Sequence, residues 1–338
     1  MRVSVIIPTY NEEDFVSGVI SDLAAQDFPK DDMEVLIVDG RSSDRTREII
    51  ESEARTYAWL MLLDNPHRVV PNAMNIGIRT SRGQTIIRMD AHCRYPSNYI
   101  FRLLEVQEET RADNVGGVWI TVPGADTAMA RAIALATSHP FGIGNASYRL
   151  ENKEVKEVDT VPYGCYPREV FERIGMYDED LVRNQDDELN GRLIQAGGKI
   201  VLIPDLEIEY SARPTWKKMN KMFYQYGLYK PLVNKKLGRP ATWRQFIPPA
   251  FVVVGLLLVL SVFITQDVWI QMVLALVYVT AALGIALSAA LHESRPSMVF
   301  LMPITFALIH LSYGLGYWRG IWQFMIRGNS HINTVPSR

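Results

Sequence analysis

The sequence predicts an α/β fold followed by membrane-spanning helices. Two observations carry this. Over the first ninety residues, apolar runs alternate with amphipathic stretches; the runs are VSVIIP (3–8), MEVLIVD (33–39), WLMLLD (59–64) and GQTIIRMD (83–90). From Phe246 to Tyr317 the chain is almost purely apolar. Strand–helix alternation of this length implies a parallel sheet with helices on both faces. Ligands bind beyond the C-terminal strand ends of such sheets, and Pro8, Asp39 and Asp90 stand there.

The first strand leads into EEDFVSGVISDLAAQ (12–26), where Phe15, Val16, Val19, Ile20 and Leu23 recur at helical spacing. The second leads into SSDRTREIIESEA (42–54), which opens on cap-forming Ser and Asp residues. A helix near 70–80 separates the third and fourth strands. Beyond them the sequence predicts a strand in VGGVWITV (115–122) and a helix over 125–137. A glycine-rich stretch (139–149) and the turn-bearing VPYGCYPREVFERIG (161–175) follow. RNQDDELNGRLIQAGG (183–198) holds a helix face at Leu189, Leu193 and Ile194, and KIVLIPD (199–205) closes with a strand.

Charge excludes one class of partner. Lys and Arg number 35 against 37 Asp and Glu, so nothing advertises nucleic acid. Cys93 and Cys165 give neither a disulfide framework nor a zinc spacing and read as incidental thiols. The opening MRVSVIIPTYNEE has too short an apolar run for an export signal, so the polar domain is expected in the cytoplasm.

Residues 213–240 mix Lys217, Lys218, Lys221, Lys230, Lys235 and Lys236 with Trp216, Phe223, Tyr224 and Tyr226. That composition suits a basic amphipathic helix at the membrane interface. Segments 246–264, 268–291 and 298–318 each approach the ~20 residues a bilayer span needs. The expected organisation is a catalytic domain over 1–212, the interfacial segment, and transmembrane helices over 246–320. Lysines before the first span belong inside by the positive-inside rule, which implies a multi-pass protein of the inner (cytoplasmic) membrane with its catalytic domain facing the cytoplasm. Three full crossings put Arg319 and Arg327 outside against the same rule, so either the tail is an exception or one segment is re-entrant. Gly316 and Gly320 have the spacing that lets two helices pack closely.

Three acidic positions carry chemistry. Asp39 ends a strand in VDGRSSD, where Gly40 permits a sharp turn. Asp90 ends another, with His92 two residues on; strand alternation points both side chains one way, toward a shared ion. Carboxylate and imidazole suit Mn²⁺, whereas Mg²⁺ prefers oxygen. In NQDDELN, Asp186, Asp187 and Glu188 open a helix, where the macrodipole favours negative charge. Composition does not choose a catalytic base among them.

In order, VSVIIPTYNEE, VLIVDGRSSDRT, NAMNIGI, IIRMDAHCRYP, VPYGCYPREVFERIGMYDE and NQDDELNGRLIQAG resemble the motifs of inverting family-2 glycosyltransferases of the GT-A fold. The Asp-Ala-His variant is similar to the succinoglycan-biosynthesis type with C-terminal membrane helices. The resemblance covers residues 1–230 closely. It implies a Rossmann-like mixed sheet flanked by helices, a nucleotide-sugar donor, UDP by the family's habit, and a divalent metal, Mn²⁺ or Mg²⁺. By the same resemblance Pro8, Tyr10 and Glu12 line the nucleotide pocket and Asp39 binds base or ribose. Asp90 sits by ribose and diphosphate and, with His92, holds the metal. Asp186 is the general base. Gln185 departs from the usual Glu, which leaves Asp187 and Glu188 as substitutes. Gly164 faces the acceptor, and the segment from Arg213, with Trp216 and Lys217, closes over donor phosphates; Asp187 is grouped with these.

The implied acceptor is a hydroxyl of a lipid-linked (polyprenyl-diphosphate) saccharide. One rival is an enzyme that glycosylates polyprenyl phosphate directly. A second is a processive synthase, whose Gln-x-x-Arg-Trp motif is absent. A third is a non-catalytic nucleotide-sugar sensor or scaffold.

Overall fold

The computed structural model describes residues 1–144, 146–149, 154–240, 242–265 and 268–329. The end of the tail, residues 330–338, whose side of the membrane the charge pattern leaves open, lies outside them. The chain groups into two bodies. One comprises Met1–Ile120 and Ser147–Tyr210; the other comprises Thr121–Ala146 and Ser211–Arg338. Residues 121–146 therefore group with the apolar C-terminal helices, although the sequence reads as one catalytic domain through 212.

The first body is built on a mixed sheet. Strands β1 (Val3–Thr9), β2 (Met33–Asp39), β3 (Leu60–Asp64) and β4 (Thr85–Arg88) run parallel in the order β3-β2-β1-β4. The sheet continues through β5 (Cys93–Arg94), β6 (Asn114–Val122), β7 (Lys156–Glu157), β8 (Cys165–Pro167) and β9 (Ile200–Ser211). Antiparallel pairings β4–β8, β6–β8, β5–β9 and β7–β9, with β9 also hydrogen-bonded to β6, complete it.

Alternation along β1 and β2 sorts the core into two layers. Val3, Val5, Ile7, Val35 and Ile37 face one hydrophobic cluster with helices α1 (Val16–Ala24), α2 (Thr46–Thr56) and α4 (Tyr99–Thr110). Ile6, Leu36, Val38 and Ile86 face the other, with α3 (Val70–Thr80), α7 (Arg168–Ile174) and α8 (Gln185–Gln195). This is the mixed sheet flanked by helices that the motifs imply. The α4 helix has no counterpart in the sequence reading, although Tyr99, Ile100, Leu103, Leu104 and Val106 supply its buried face.

Two helices begin later than their caps suggest. Ser42 and Asp44 turn to neighbouring loops instead of starting the helix at 42. The Ser42 hydroxyl donates to Asp39, and Asp44 accepts from the Thr46 backbone N–H, which delays α2 to Thr46. Glu12 likewise lies in a turn whose carbonyl accepts from Phe15 and Val16.

In the second body, α5 (Ala128–Thr137) and the short α6 (Pro140–Ile143) share a core with α9 (Trp216–Leu237), α11 (Trp269–His292) and α12 (Met298–Gly320). Together with α10 (Ile247–Thr265), these include three helices long and apolar enough to cross a membrane: Trp243–Ile264, Trp269–His292 and Met298–Ile326. The third runs past residue 318 through a π-helical stretch, Ile321–Ile326. The α9 helix differs from a helix laid on a surface. Lys217, Lys218, Lys221, Lys235 and Lys236 are exposed at its ends, but the stretch from Gly227 to Asn234 is buried. Gly316 and Gly320 admit the α9 backbone at Tyr224 and Leu228, and Gly227 admits that of Tyr313. A Cβ at any of the three would overlap a carbonyl oxygen. His310, in α12, accepts or donates at both ring nitrogens, to Tyr278 (3.0 Å) and the Phe141 carbonyl (2.8 Å).

Candidate active site

The parallel strands end together. Thr9 and Asp39 are register partners at the ends of β1 and β2, and β4 ends at Arg88, opposite Ile6. Loops leaving this edge hold Asn11, Arg41, Tyr163 and Asn184 in the left-handed region, at φ of 54°, 59°, 49° and 60°. Non-glycine residues pay for that conformation, and such strain gathers at functional sites. The sharp turn after Asp39 is thus made by Arg41. Gly40 is needed instead for space, since a Cβ there would press on the Tyr10 ring and the Arg68 backbone.

Asp39 is 0 % exposed. Its carboxylate accepts from the Ser42 backbone N–H (3.0 Å), the Ser42 hydroxyl (2.5 Å) and Arg47 Nη1 (2.9 Å). Pro8 is half-buried near the end of β1. Tyr10 follows it, with the Arg68 guanidinium 6.0 Å from its ring centroid. Glu12 is buried; its backbone N–H donates to Thr46 Oγ1 and its Oε1 lies 3.7 Å from His92 Nδ1.

Asp90 and His92 do not share a strand face. The strand stops at Arg88, and Ala91 and His92 form a turn, so strand alternation does not govern them. Asp90 bends back onto Arg88, accepting from Nε (3.1 Å) and Nη2 (3.0 Å). His92 faces Glu12 and approaches Tyr210 edge-on at 5.9 Å.

Arg88 also reaches across the sheet edge. Its Nη1 donates to both oxygens of Asp186 at 2.6 Å. Asp90 and Asp186, from distant parts of the sequence, therefore share one buried guanidinium. Burial pushes the Asp186 carboxyl above the usual carboxylate range, and the charge of Arg88 opposes that rise. The Asp186 side chain keeps 32 % exposure, so part of the carboxylate faces solvent. Arg88 itself is held more firmly in its charged form by the two aspartates, against its desolvation.

The neighbouring acids differ from Asp186. Glu188 is buried and forks Arg192 (2.6 and 2.8 Å), so it is tied into α8. Asp187 is half-buried in the first helical turn. Gln185 is buried and its Oε1 has no partner. Gly164 packs between Asn114 and Tyr166, where no Cβ fits, and its carbonyl accepts from the Arg88 backbone N–H (3.0 Å).

Arg213, Trp216 and Lys217 belong to the second body. Arg213 is 8 % exposed and its Nε has no hydrogen-bond partner. Trp216 Nε1 donates to Thr305 Oγ1 (2.9 Å), and Lys217 is exposed. Cys93 and Cys165 are buried thiols whose proton loss is disfavoured by burial, as incidental cysteines would be.

Two residues escape sequence reasoning. Arg88 was readable as an arginine inside an apolar strand, a placement that demands partners. Arg149 had no signal: its guanidinium lies 4.2 Å from the Trp119 ring centroid and 5.4 Å from that of Tyr210, which itself stacks on Trp119 at 4.2 Å.

Among the described residues no three His, Cys, Asp or Glu side chains converge as a cation site. Glu12 Oε1 and His92 Nδ1 stand 3.7 Å apart, within the span of two ligands each about 2.1 Å from one ion. A carboxylate and an imidazole fit a divalent ion that draws its remaining ligands from phosphate oxygens and water.

Comparison with known proteins agrees with this architecture. The dolichyl N-acetyl-alpha-D-glucosaminyl phosphate 3-beta-D-2,3-diacetamido-2,3-dideoxy-beta-D-glucuronosyltransferase of Methanococcus voltae is 28 % identical over 336 residues, covering 97 % of this chain and 98 % of that one. The succinoglycan biosynthesis protein ExoA of Rhizobium meliloti is 28 % identical over 325 residues, covering 96 % of each. Among solved structures, the mannosyltransferase PcManGT of Pyrobaculum calidifontis, in complex with GDP-Man and Mn²⁺, superposes with a TM-score of 0.61 at 18 % identity. It covers 92 % of this chain and 86 % of that one. S. aureus TarS 1–349 in complex with UDP gives 0.53 at 15 % identity, covering 100 % and 95 %. At such identities the structures speak for the fold. Residues 4–175, half of the chain and nearly all of the parallel sheet with its strand-end loops, match the family described as glycosyl transferase family 2, and the chain belongs to that family.

Proposed function

We propose that this protein moves a sugar from a nucleoside-diphosphate donor, a UDP-sugar by preference, to a hydroxyl of a lipid-linked saccharide, with inversion at the anomeric carbon. The observation that carries the reading is the pairing of Asp90 and Asp186 on Arg88 at the C-terminal edge of the parallel strands. That edge is where nucleotides bind in open α/β sheets. One carboxylate then stands at the nucleotide end and one, partly open to solvent, at the acceptor end.

In this reading the acceptor hydroxyl attacks C1 while the C1–O bond to the diphosphate breaks. Its proton passes to Asp186, and the bonding pair leaves on the diphosphate oxygen. A single displacement inverts C1 and needs no covalent nucleophile. The raised proton affinity of Asp186 favours its use as a base. Pro8 and Tyr10 flank the nucleotide; Asp39, fully hydrogen-bonded, supports that pocket from within or meets the ligand after Arg47 shifts. His92, Glu12 and Asp90 would hold a divalent cation, whose charge would offset that on the departing diphosphate.

The relatives' names support the acceptor class. The Methanococcus voltae relative is named for a dolichyl-linked N-acetylglucosaminyl phosphate, and the Rhizobium meliloti relative for succinoglycan biosynthesis. The three long apolar helices suit anchoring in the cytoplasmic membrane, with residues 1–212 carrying the chemistry on the cytoplasmic side. Lys217, Lys218 and Lys221 favour that side.

The test incubates membranes containing the protein with UDP-glucose, UDP-N-acetylglucosamine and GDP-mannose in turn, with a polyprenyl-diphosphate saccharide extract, and assays released diphosphate. Acceptor-dependent release from at least one donor is expected. Binding of UDP with no release from any donor would favour the sensor.

A further inference from the structure

We propose that Arg88 is a positioning residue for the transfer step, setting the place of the base Asp186 relative to the donor-binding Asp90. This rests on the reading of Asp186 as base. Arg88 lies in β4 with only 4 % exposure, its backbone N–H tied to the Gly164 carbonyl. Its guanidinium lies 5.6 Å from the Tyr163 ring centroid, so the side chain is enclosed.

The five N–H groups of an arginine form a rigid fork. Here Nε and Nη2 take Asp90, and Nη1 takes both oxygens of Asp186. Without the cation, the two carboxylates would repel. With it, each is tied to a residue of the buried strand β4.

The hold does not consume the base. A carboxylate offers about four lone-pair sites, and Nη1 approaches from one side only. The 32 % exposure of Asp186 leaves the other side for an acceptor hydroxyl. Gln185 sharpens the need. It carries no charge beside the base, and its buried amide oxygen has no hydrogen-bond partner. Orientation of Asp186 falls to Arg88.

The test uses the full chain in detergent, with the nucleotide sugar from the panel above that turns over. Arg88→Lys keeps the charge and loses the fork. Its kcat is expected to fall about 10- to 100-fold, the cost of a misplaced catalytic group, with donor KM and UDP affinity within about threefold of wild type. In an Asp186→Asn background the same change is expected to alter the residual rate less than about twofold. Unchanged kcat in Arg88→Lys overturns the proposal. So does an equal loss in both backgrounds, or a loss of kcat accompanied by matching losses of UDP affinity and melting temperature, which marks a merely structural role. If Asp186→Asn turns over at the wild-type rate, the underlying choice of base fails, and that result is separate from any behaviour of Arg88→Lys.

Discussion

Glu188 and Arg192 form a two-point fork one helical turn apart, Oε1 to Nε at 2.6 Å and Oε2 to Nη2 at 2.8 Å. Arg192 also donates to the carbonyls of Ile174, Gly175 and Met176, so the pair fastens α8 to the loop after α7. Three adjacent acids thus divide their labour. Glu188 serves structure, and Asp186 is the one paired with Arg88.

Glu188→Ala is accordingly expected to cost about 2–3 kcal/mol of stability, because it strips a partner from a largely buried arginine. Thermal unfolding checks the stability. The kcat of the folded fraction should stay within about twofold, and a collapse of kcat without unfolding would instead nominate Glu188 as the base.

Asp186→Asn should lower kcat by at least 10²-fold, the usual worth of a positioned base, while UDP affinity changes little. The wild-type acid limb follows from the direction of the shift. Burial raises the Asp186 carboxyl above 3.8, and a base works only when deprotonated, so kcat/KM should fall with decreasing pH at a higher pH than an ordinary aspartate would give. The same sign makes Asp186 destabilising. The folded state binds its proton more tightly than the unfolded chain, so this group's contribution is most favourable below 3.8 and is lost as pH rises through its folded value. A pH–rate profile with its acid limb at or below 3.8 would contradict the assignment.

His92→Ala should weaken Mn²⁺ binding at least about tenfold, measured by titration of Mn²⁺ in the presence of UDP, with melting temperature nearly unchanged. Glu12→Gln should weaken it as well, since the two groups face each other at 3.7 Å. Equal Mn²⁺ affinity in both variants would remove this pair from the cation site.

Gly316→Leu should disrupt the second body. The new side chain meets the Tyr224 carbonyl, and α9 cannot withdraw without unseating Gly227 from Tyr313. A cost of about 1–3 kcal/mol or more is expected, read as lower melting temperature in detergent. Gly255→Leu, where a Cβ meets nothing within 4 Å, is the control and should be neutral.

Some of this was legible before any coordinates. Asp39 ends β2 where its strand pattern put it, and Asp186 opens a helix as the acidic run implied. Other parts were not. Ser42 and Asp44 looked like caps and proved also to accept from the Asn11 and Glu13 backbone N–H groups of the loop after β1, partners about thirty positions away that only the fold brings near. The convergence of Asp90 and His92 assumed strand alternation through residue 92, but β4 ends at Arg88; the chain turns at Ala91, and the pair parts toward Arg88 and Glu12. The basic, aromatic stretch 213–240 read as a surface helix, yet three glycines let another helix cover its middle.

By itself the sequence determined the four parallel strands, most of the helices flanking them and the segments apolar enough for a bilayer, since periodicity and hydrophobic length are local properties. Folding alone decided who meets whom: that a lone arginine in a buried strand clasps two carboxylates nearly a hundred positions apart, because a guanidinium removed from water must find negative charge wherever the chain can deliver it. Lay that arginine in solvent, away from both acids, and the chemistry assigned to this edge of the sheet has no foundation.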